Sequence, residues 1–109
     1  MRYRDRRVSL HRFWDTDVLR VAGLSEREIA ESVAAIAEML PAAGAGDPPS
    51  AWAAESLALR ARVYAFPRAA RGPSRLDDAY LAAADAITRV RLAQAAMRLA
   101  GVLNRALGC

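Results

Sequence analysis

From Leu76 to Leu107 nothing in the sequence interrupts a helix: there is no proline, and the single glycine, Gly101, is its weakest point. A helix-forming run of this length forces the rest of a 109-residue chain to be its packing partner. Leu76, Tyr80, Ala84, Ile87, Arg91, Ala95, Arg98 and Val102 can be read down one side. The pattern drifts around the cylinder, and Leu81, Ile87, Leu92, Leu99, Leu103 and Leu107 make a second apolar strip. Such a helix is expected to be covered on more than one side, bent, or both.

The upstream residues read as three shorter helices. The first is expected from Leu10 to Ala22, stopped by Gly23. Ser25 followed by Glu28 is a capping box that opens a second helix, with Ile29, Val33, Ile36 and Leu40 as its buried stripe and Pro41 as its end. Pro41 to Ser50 is a loop of small residues and helix breakers, after which Asp47 or Ser50 caps a third helix. Trp52, Leu59, Val63 and Phe66 share a face of that helix, with Ala53, Leu57 and Tyr64 beside it, and Pro67 terminates it. Pro67 to Ser74 is a second loop. The expected fold class is therefore all-α, three shorter helices plus a long C-terminal one, with 1–9 an extended basic arm, 10–109 a single helical domain and no strand pair. Composition agrees, since alanine fills about a quarter of the positions and β-branched residues are few.

All sixteen basic residues are arginine. Met1 to Arg12 holds five of them against one aspartate, and the remaining eleven are balanced by eleven acids, so the net charge of +4 belongs to the N-terminal arm. That excludes a domain-wide nucleic-acid face and leaves two readings, a solvated tail or a phosphate-binding arm. Val8 to Asp17 contains His, Arg and Asp where the apolar core of a signal peptide would lie, and no run approaches a membrane span. Production from Met1 would then place the chain in the cytoplasm. The lone Cys109 cannot form an internal disulfide.

The chemistry concentrates in Ser9-Leu10-His11-Arg12-Phe13-Trp14-Asp15-Thr16-Asp17, which holds the only histidine. On a helix, His11 and Asp15 at i and i+4 project from one face and can grip a single cation. They supply half a zinc site; the alternative is a helix-start histidine with an i+4 ion pair. Glu55 and Ser56, within the third helix, read as a hydrogen-bonded structural pair. Trp52, Tyr64, Phe66 and Tyr80 read as core aromatics, and Met39 and Met97 as packing fillers.

The order of these signals carries a resemblance. Ser-Leu-His11-x-x-Trp14-Asp15, a capped helix, Trp52-x-x-Glu55-Ser56, Val63-Tyr64, Tyr80, and Ala95-Ala96-Met97-Arg98-Leu99-Ala100-x-x-Leu103-Asn104 resemble the C-terminal part of the zinc-dependent, single-strand-specific nucleases. That family includes mung bean nuclease and the fungal nucleases S-one and P-one, and it is related to zinc-dependent phospholipase C. The resemblance implies a mostly helical enzyme with three zinc ions that hydrolyses RNA and single-stranded DNA to 5′-phosphate products and is secreted or periplasmic. It carries His11 and Asp15 over as zinc ligands, and Trp14 as a packing residue. Trp52, Glu55, Ser56, Arg98 and Asn104 carry over as positions of the structural motifs.

The departures shape a further expectation. The family's N-terminal tryptophan, its other His and Asp ligands and its Gly-Gly-Asn turn have no counterpart here, Ser9 stands in place of asparagine and Ala96 in place of glycine. The chain is thus expected to be a C-terminal fragment with at most one partial zinc site, inactive alone. Its uncovered apolar strips are expected to associate with a second copy or with a missing N-terminal half; a non-catalytic self-association or partner-binding module is the alternative reading.

Overall fold

In the computed structural model, which describes residues 1–40 and 46–108, the long helix runs from Asp78 to Ala106 and everything else is arranged along it. In order the elements are strands β1 (Arg2–Tyr3) and β2 (Arg6–Arg7), helix α1 (Leu10–Asp15), a 3-10 turn (Asp17–Arg20), α2 (Glu26–Met39), α3 (Pro49–Ala58), α4 (Arg60–Val63) and α5 (Asp78–Ala106). At about 1.5 Å per residue the 29 residues of α5 span roughly 43 Å, most of the 56 Å long axis of the molecule. The all-α expectation holds apart from the two-residue strands. Gly101 does not break α5.

Several boundaries differ from the sequence reading, each for a local reason. The first nine residues are a β-hairpin and not an extended arm, with Arg2 opposite Arg7 and Tyr3 opposite Arg6. Tyr3 and Val8 are buried, and the Met1 ammonium donates to the Val8 carbonyl. The first helix stops at Asp15, because Thr16 leaves helical geometry at φ −134° and Asp17 turns inward; Gly23 ends only the turn that follows, with φ +68°. The third helix is split at Leu59, and Pro48 is its N-cap, with no side-chain bond from Asp47 or Ser50. Leu57 and Tyr64 are exposed. Leu76 precedes α5, which is capped instead by the Asp77 carboxylate accepting from the Tyr80 N–H at 2.8 Å.

Other signals behave as read. Ser25 accepts from the Glu28 N–H at 3.2 Å and opens α2, whose half-buried Ile29, Val33 and Ile36 belong to the helix packed on α5. The stop at Pro41, most of the loop that follows it, and Cys109 lie outside the described residues.

The core occupies the N-terminal end of α5. Tyr3, Val8, Phe13, Val18, Leu76, Tyr80 and Ala84 form it, with Trp14 and Phe66 packed against it. Phe13 is completely buried, its ring 5.3 Å from Tyr3, 5.9 Å from Trp14 and 6.0 Å from Tyr80. The far half of α5 is barely covered: Leu99, Leu103 and Leu107 are 59%, 47% and 73% exposed, and only Ala93 and Arg98 are buried there.

Tyr80 joins three elements. Its hydroxyl accepts the Trp14 indole N–H at 2.9 Å and donates to the Val63 carbonyl at 2.5 Å. Tyr80→Phe leaves a donor and an acceptor unpaired and is expected to cost roughly 1–3 kcal/mol in urea unfolding, whereas Tyr64→Phe, at an exposed ring, stays within about 0.5 kcal/mol. Equal stability of the two variants would refute the linking role.

Candidate metal centre

Helix α1 is only six residues long, and its two faces have opposite tasks. Ser9 caps it, its Oγ accepting from the Arg12 N–H at 3.1 Å. Phe13 and Trp14 turn into the core, and Trp14 is held by Tyr80. With 100° per residue, this sends His11 and Asp15 outward together. Their side chains are 86% and 60% exposed, and His11 Nε2 lies 2.7 Å from Asp15 Oδ2.

An imidazole and a carboxylate are a suitable donor set for zinc. Two ligands about 2.0–2.2 Å from a tetrahedral ion lie roughly 3.4 Å apart, so the pair has to open by less than an ångström, which exposed side chains can do. A complete site needs more. Among the described residues no group of three or more His, Cys, Asp and Glu side chains could hold a metal ion. The described residues therefore offer two donors suited to a zinc ion and not a complete set.

Asp17 closes the stretch that the sequence reading singled out, but it had no role of its own there. It follows Asp15 by two residues but points the other way, with no exposed surface. Its Oδ1 lies 3.3 Å from the Arg6 guanidinium on β2, and its Oδ2 is 3.7 Å from Arg12 on α1. The buried carboxylate thus ties the hairpin to the helix that carries His11 and Asp15. The only signal was the pair of arginines upstream, which look like any other surface arginines in a chain with sixteen.

Four of the remaining motif residues converge elsewhere, between α3 and α5. Glu55 accepts from Arg98 at 2.6 Å and from Arg91 at 2.8 Å, and Arg91 also donates to Ser56 Oγ at 2.7 Å and Gln94 Oε1 at 2.8 Å. The buried Arg98 guanidinium lies 5.4 Å from the Trp52 ring centre. Arg91 and Arg98, which the sequence pattern put on a packing side of α5, are there as charges matched by Glu55. Asn104 is exposed near the end of α5, outside this cluster. A groove of about 860 Å³ runs beside it, lined by Leu59, Phe66, Ile87 and Val90 with Glu55 and Arg91. Neither His11 nor Asp15 lines that groove.

The chain is mostly helical and carries an outward imidazole–carboxylate pair on a short, core-anchored helix. The family model for S1/P1 Nuclease matches residues 1–108, so the chain belongs to the S1/P1 nuclease family, whose members are zinc-dependent and act on nucleic acid. Comparison with curated proteins and with solved structures returned no match.

Hydrogen bonds from Arg98, then Arg91, hold the Glu55 carboxyl down from its usual 4.5 to about 2. A carboxyl with a lowered folded-state pKa contributes stability that is complete above about pH 4.5 and is lost as pH falls from there through about 2. Urea midpoints measured across that window should fall more steeply for the wild-type chain than for Glu55→Gln. Parallel pH profiles would show the three-residue pairing to be inconsequential.

Proposed function

We propose that this chain provides the C-terminal share of a three-zinc nuclease, with His11 and Asp15 as two ligands of one zinc and the other ligands supplied from outside the described residues. The reaction is hydrolysis of phosphodiester bonds in RNA and single-stranded DNA, leaving 5′-phosphates, and the complete enzyme works outside the cell or in the periplasm. One observation carries this reading within the family: the only histidine of the chain and an aspartate one helical turn later face solvent together, 2.7 Å apart, on a helix whose opposite face is fixed in the core. Zinc, when bound, supplies a hydroxide nucleophile at neutral pH and offsets charge on the phosphoryl group. The chain's own part is to hold the two ligands on a rigid α1, to orient them through Trp14 and Tyr80, and to keep them in reach of solvent. No helix among the described residues is long and apolar enough to cross a membrane.

Two ligands of four retain about half of the 10–16 kcal/mol of a structural zinc site, which corresponds to dissociation constants from about 1 μM to about 0.2 mM. The isolated chain is therefore expected to bind zinc weakly, through His11 and Asp15, and not to cleave single-stranded DNA. Zinc titration with and without His11→Ala, beside a nuclease assay at added zinc, is the check. Zinc binding indifferent to the substitution would reject the ligand assignment, and robust cleavage abolished by it would reject the incomplete-site reading.

A second reading, a non-catalytic helical module that associates with a copy of itself, draws on the apolar strip of α5 at Leu99, Leu103 and Leu107, and on Met39, which is 84% exposed. It expects light scattering to give a dimer mass at micromolar concentration and Leu99→Glu with Leu103→Glu to give a monomer. A clean monomer in the wild-type chain would remove this reading.

A further inference from the structure

The basic N-terminus is not a loose tail. Opposed residues of an antiparallel pair share a face, so the register puts Tyr3 and Arg6 on one side of the hairpin and Arg2 and Arg7 on the other. Tyr3 is in the core and Arg6 reaches Asp17, which makes theirs the inner side. Arg2 and Arg7 stand together on the outer side. A third strand-like contact adds to them: the Arg2 N–H donates to the Ser74 carbonyl at 2.7 Å and the Leu76 N–H to the Arg2 carbonyl at 3.0 Å, setting Arg75 alongside Arg2.

The nearby arginines divide into two groups. Arg6 and Arg12 are engaged by Asp17, and Arg4 lies over the Tyr3 ring and donates to the Arg20 carbonyl. Arg2, Arg7 and Arg75 are exposed and have no ion pair with any described carboxylate. Like charges directly opposite on a strand pair repel, and here the pair is held in place by the burial of Tyr3 and Val8 and by the Met1 to Val8 bond. Exposed arginines set side by side on a core-anchored hairpin are relieved by an anion with repeated charges.

We propose that the outer face of the hairpin, Arg2 and Arg7 with Arg75 beside them, is a clamp for the phosphodiester backbone of a single nucleic-acid strand leading to His11 and Asp15. β2 passes through Val8 and Ser9 directly into α1, so Arg7 precedes His11 by four residues, at most about 14 Å of chain. Along a single strand that reach covers only a few phosphates. The clamp rests on the nuclease reading for its partner, and it assigns to the chain a strand-holding surface separate from the metal ligands.

The test uses the whole chain with a labelled oligothymidylate in the presence of a chelator, so that binding is measured without metal or cleavage. Arg2→Gln with Arg7→Gln should weaken binding about tenfold at low salt and flatten the slope of log K against log salt by about 1.4, two contacts at 0.7 each; Arg75→Gln should flatten it by about 0.7. Arg2→Lys with Arg7→Lys should stay within about twofold, and Arg27→Gln, on the exposed α2 pair with Glu31, should change nothing. A wild-type salt slope in the double glutamine variant would overturn the clamp, as would equal losses in the lysine and glutamine pairs or tighter binding of a duplex than of the single strand. Zinc titration of the His11→Ala chain keeps the two readings apart. Zinc binding indifferent to that substitution sinks the metal assignment alone, and a wild-type salt slope here sinks the clamp alone.

Discussion

The hydroxyl of Tyr80 accepts a hydrogen bond from the indole N–H of Trp14 and donates one to the carbonyl of Val63, and through those two bonds α1, α4 and α5 are fixed to one point. Burial raises the pKa of Tyr80, so its proton stays on to make the second bond, while the bond from Trp14 acts in the opposite direction. The surrounding rings of Phe13, Phe66 and Trp14 meet Tyr80 at centroid distances of 5.7 to 6.3 Å. A six-residue helix is far too short to be stable by itself, so α1 exists because Phe13 and Trp14 are held there. The orientation of His11 and Asp15 is thus a consequence of aromatic packing on their far side.

Much of this was legible in the sequence, and the parts that were not share a cause. The Ser25 capping box, the uninterrupted run after Asp78 and the His11–Asp15 spacing are local signals, read within a few residues of one another. The hairpin is a different case. Its apolar anchors are Tyr3 and Val8, with the half-buried Met1 beside them, and their value comes from Phe13, Leu76 and the Arg2 contact with residues 74–76, more than sixty residues away. No window of sequence contains that information. The early end of α1 has the same origin, since Asp17 leaves the helical path to meet Arg6 from the hairpin. For the site, the pairing of His11 with Asp15 was readable from spacing, whereas Asp17 and the Glu55 partners Arg91 and Arg98 required the tertiary fold.

Charges have been taken inward in two places, and the two are solved differently. Glu55, partly exposed, has both oxygens satisfied by short bonds from Arg98 and Arg91. Asp17 is fully buried, and its Oδ2 has no hydrogen-bond partner among the described residues, with Arg12 at 3.7 Å. A buried carboxylate with one oxygen left unbonded carries a desolvation penalty of about 1–3 kcal/mol or more. A leucine there would avoid it. What the aspartate adds is direction, because an ion pair fixes which arginines approach, and Arg6 and Arg12 belong to the two segments that flank His11.

Stability is consequently uneven along α5. Its first two turns belong to the aromatic core, its middle is held by α2 and by the Glu55 cluster, and its last two turns present leucines to solvent. Arg89 extends this middle zone, donating to Ser32 Oγ on α2 at 2.6 Å and pairing with Asp85. Local opening follows the density of buried contacts, so the end of α5 opens first and the hairpin, α1 and the start of α5 open last. The helix that carries His11 and Asp15 and the arginine face lie in the part of the chain that is hardest to unfold. Both therefore keep their geometry when the distal helix does not, which is what two surfaces require if they are to act on one strand.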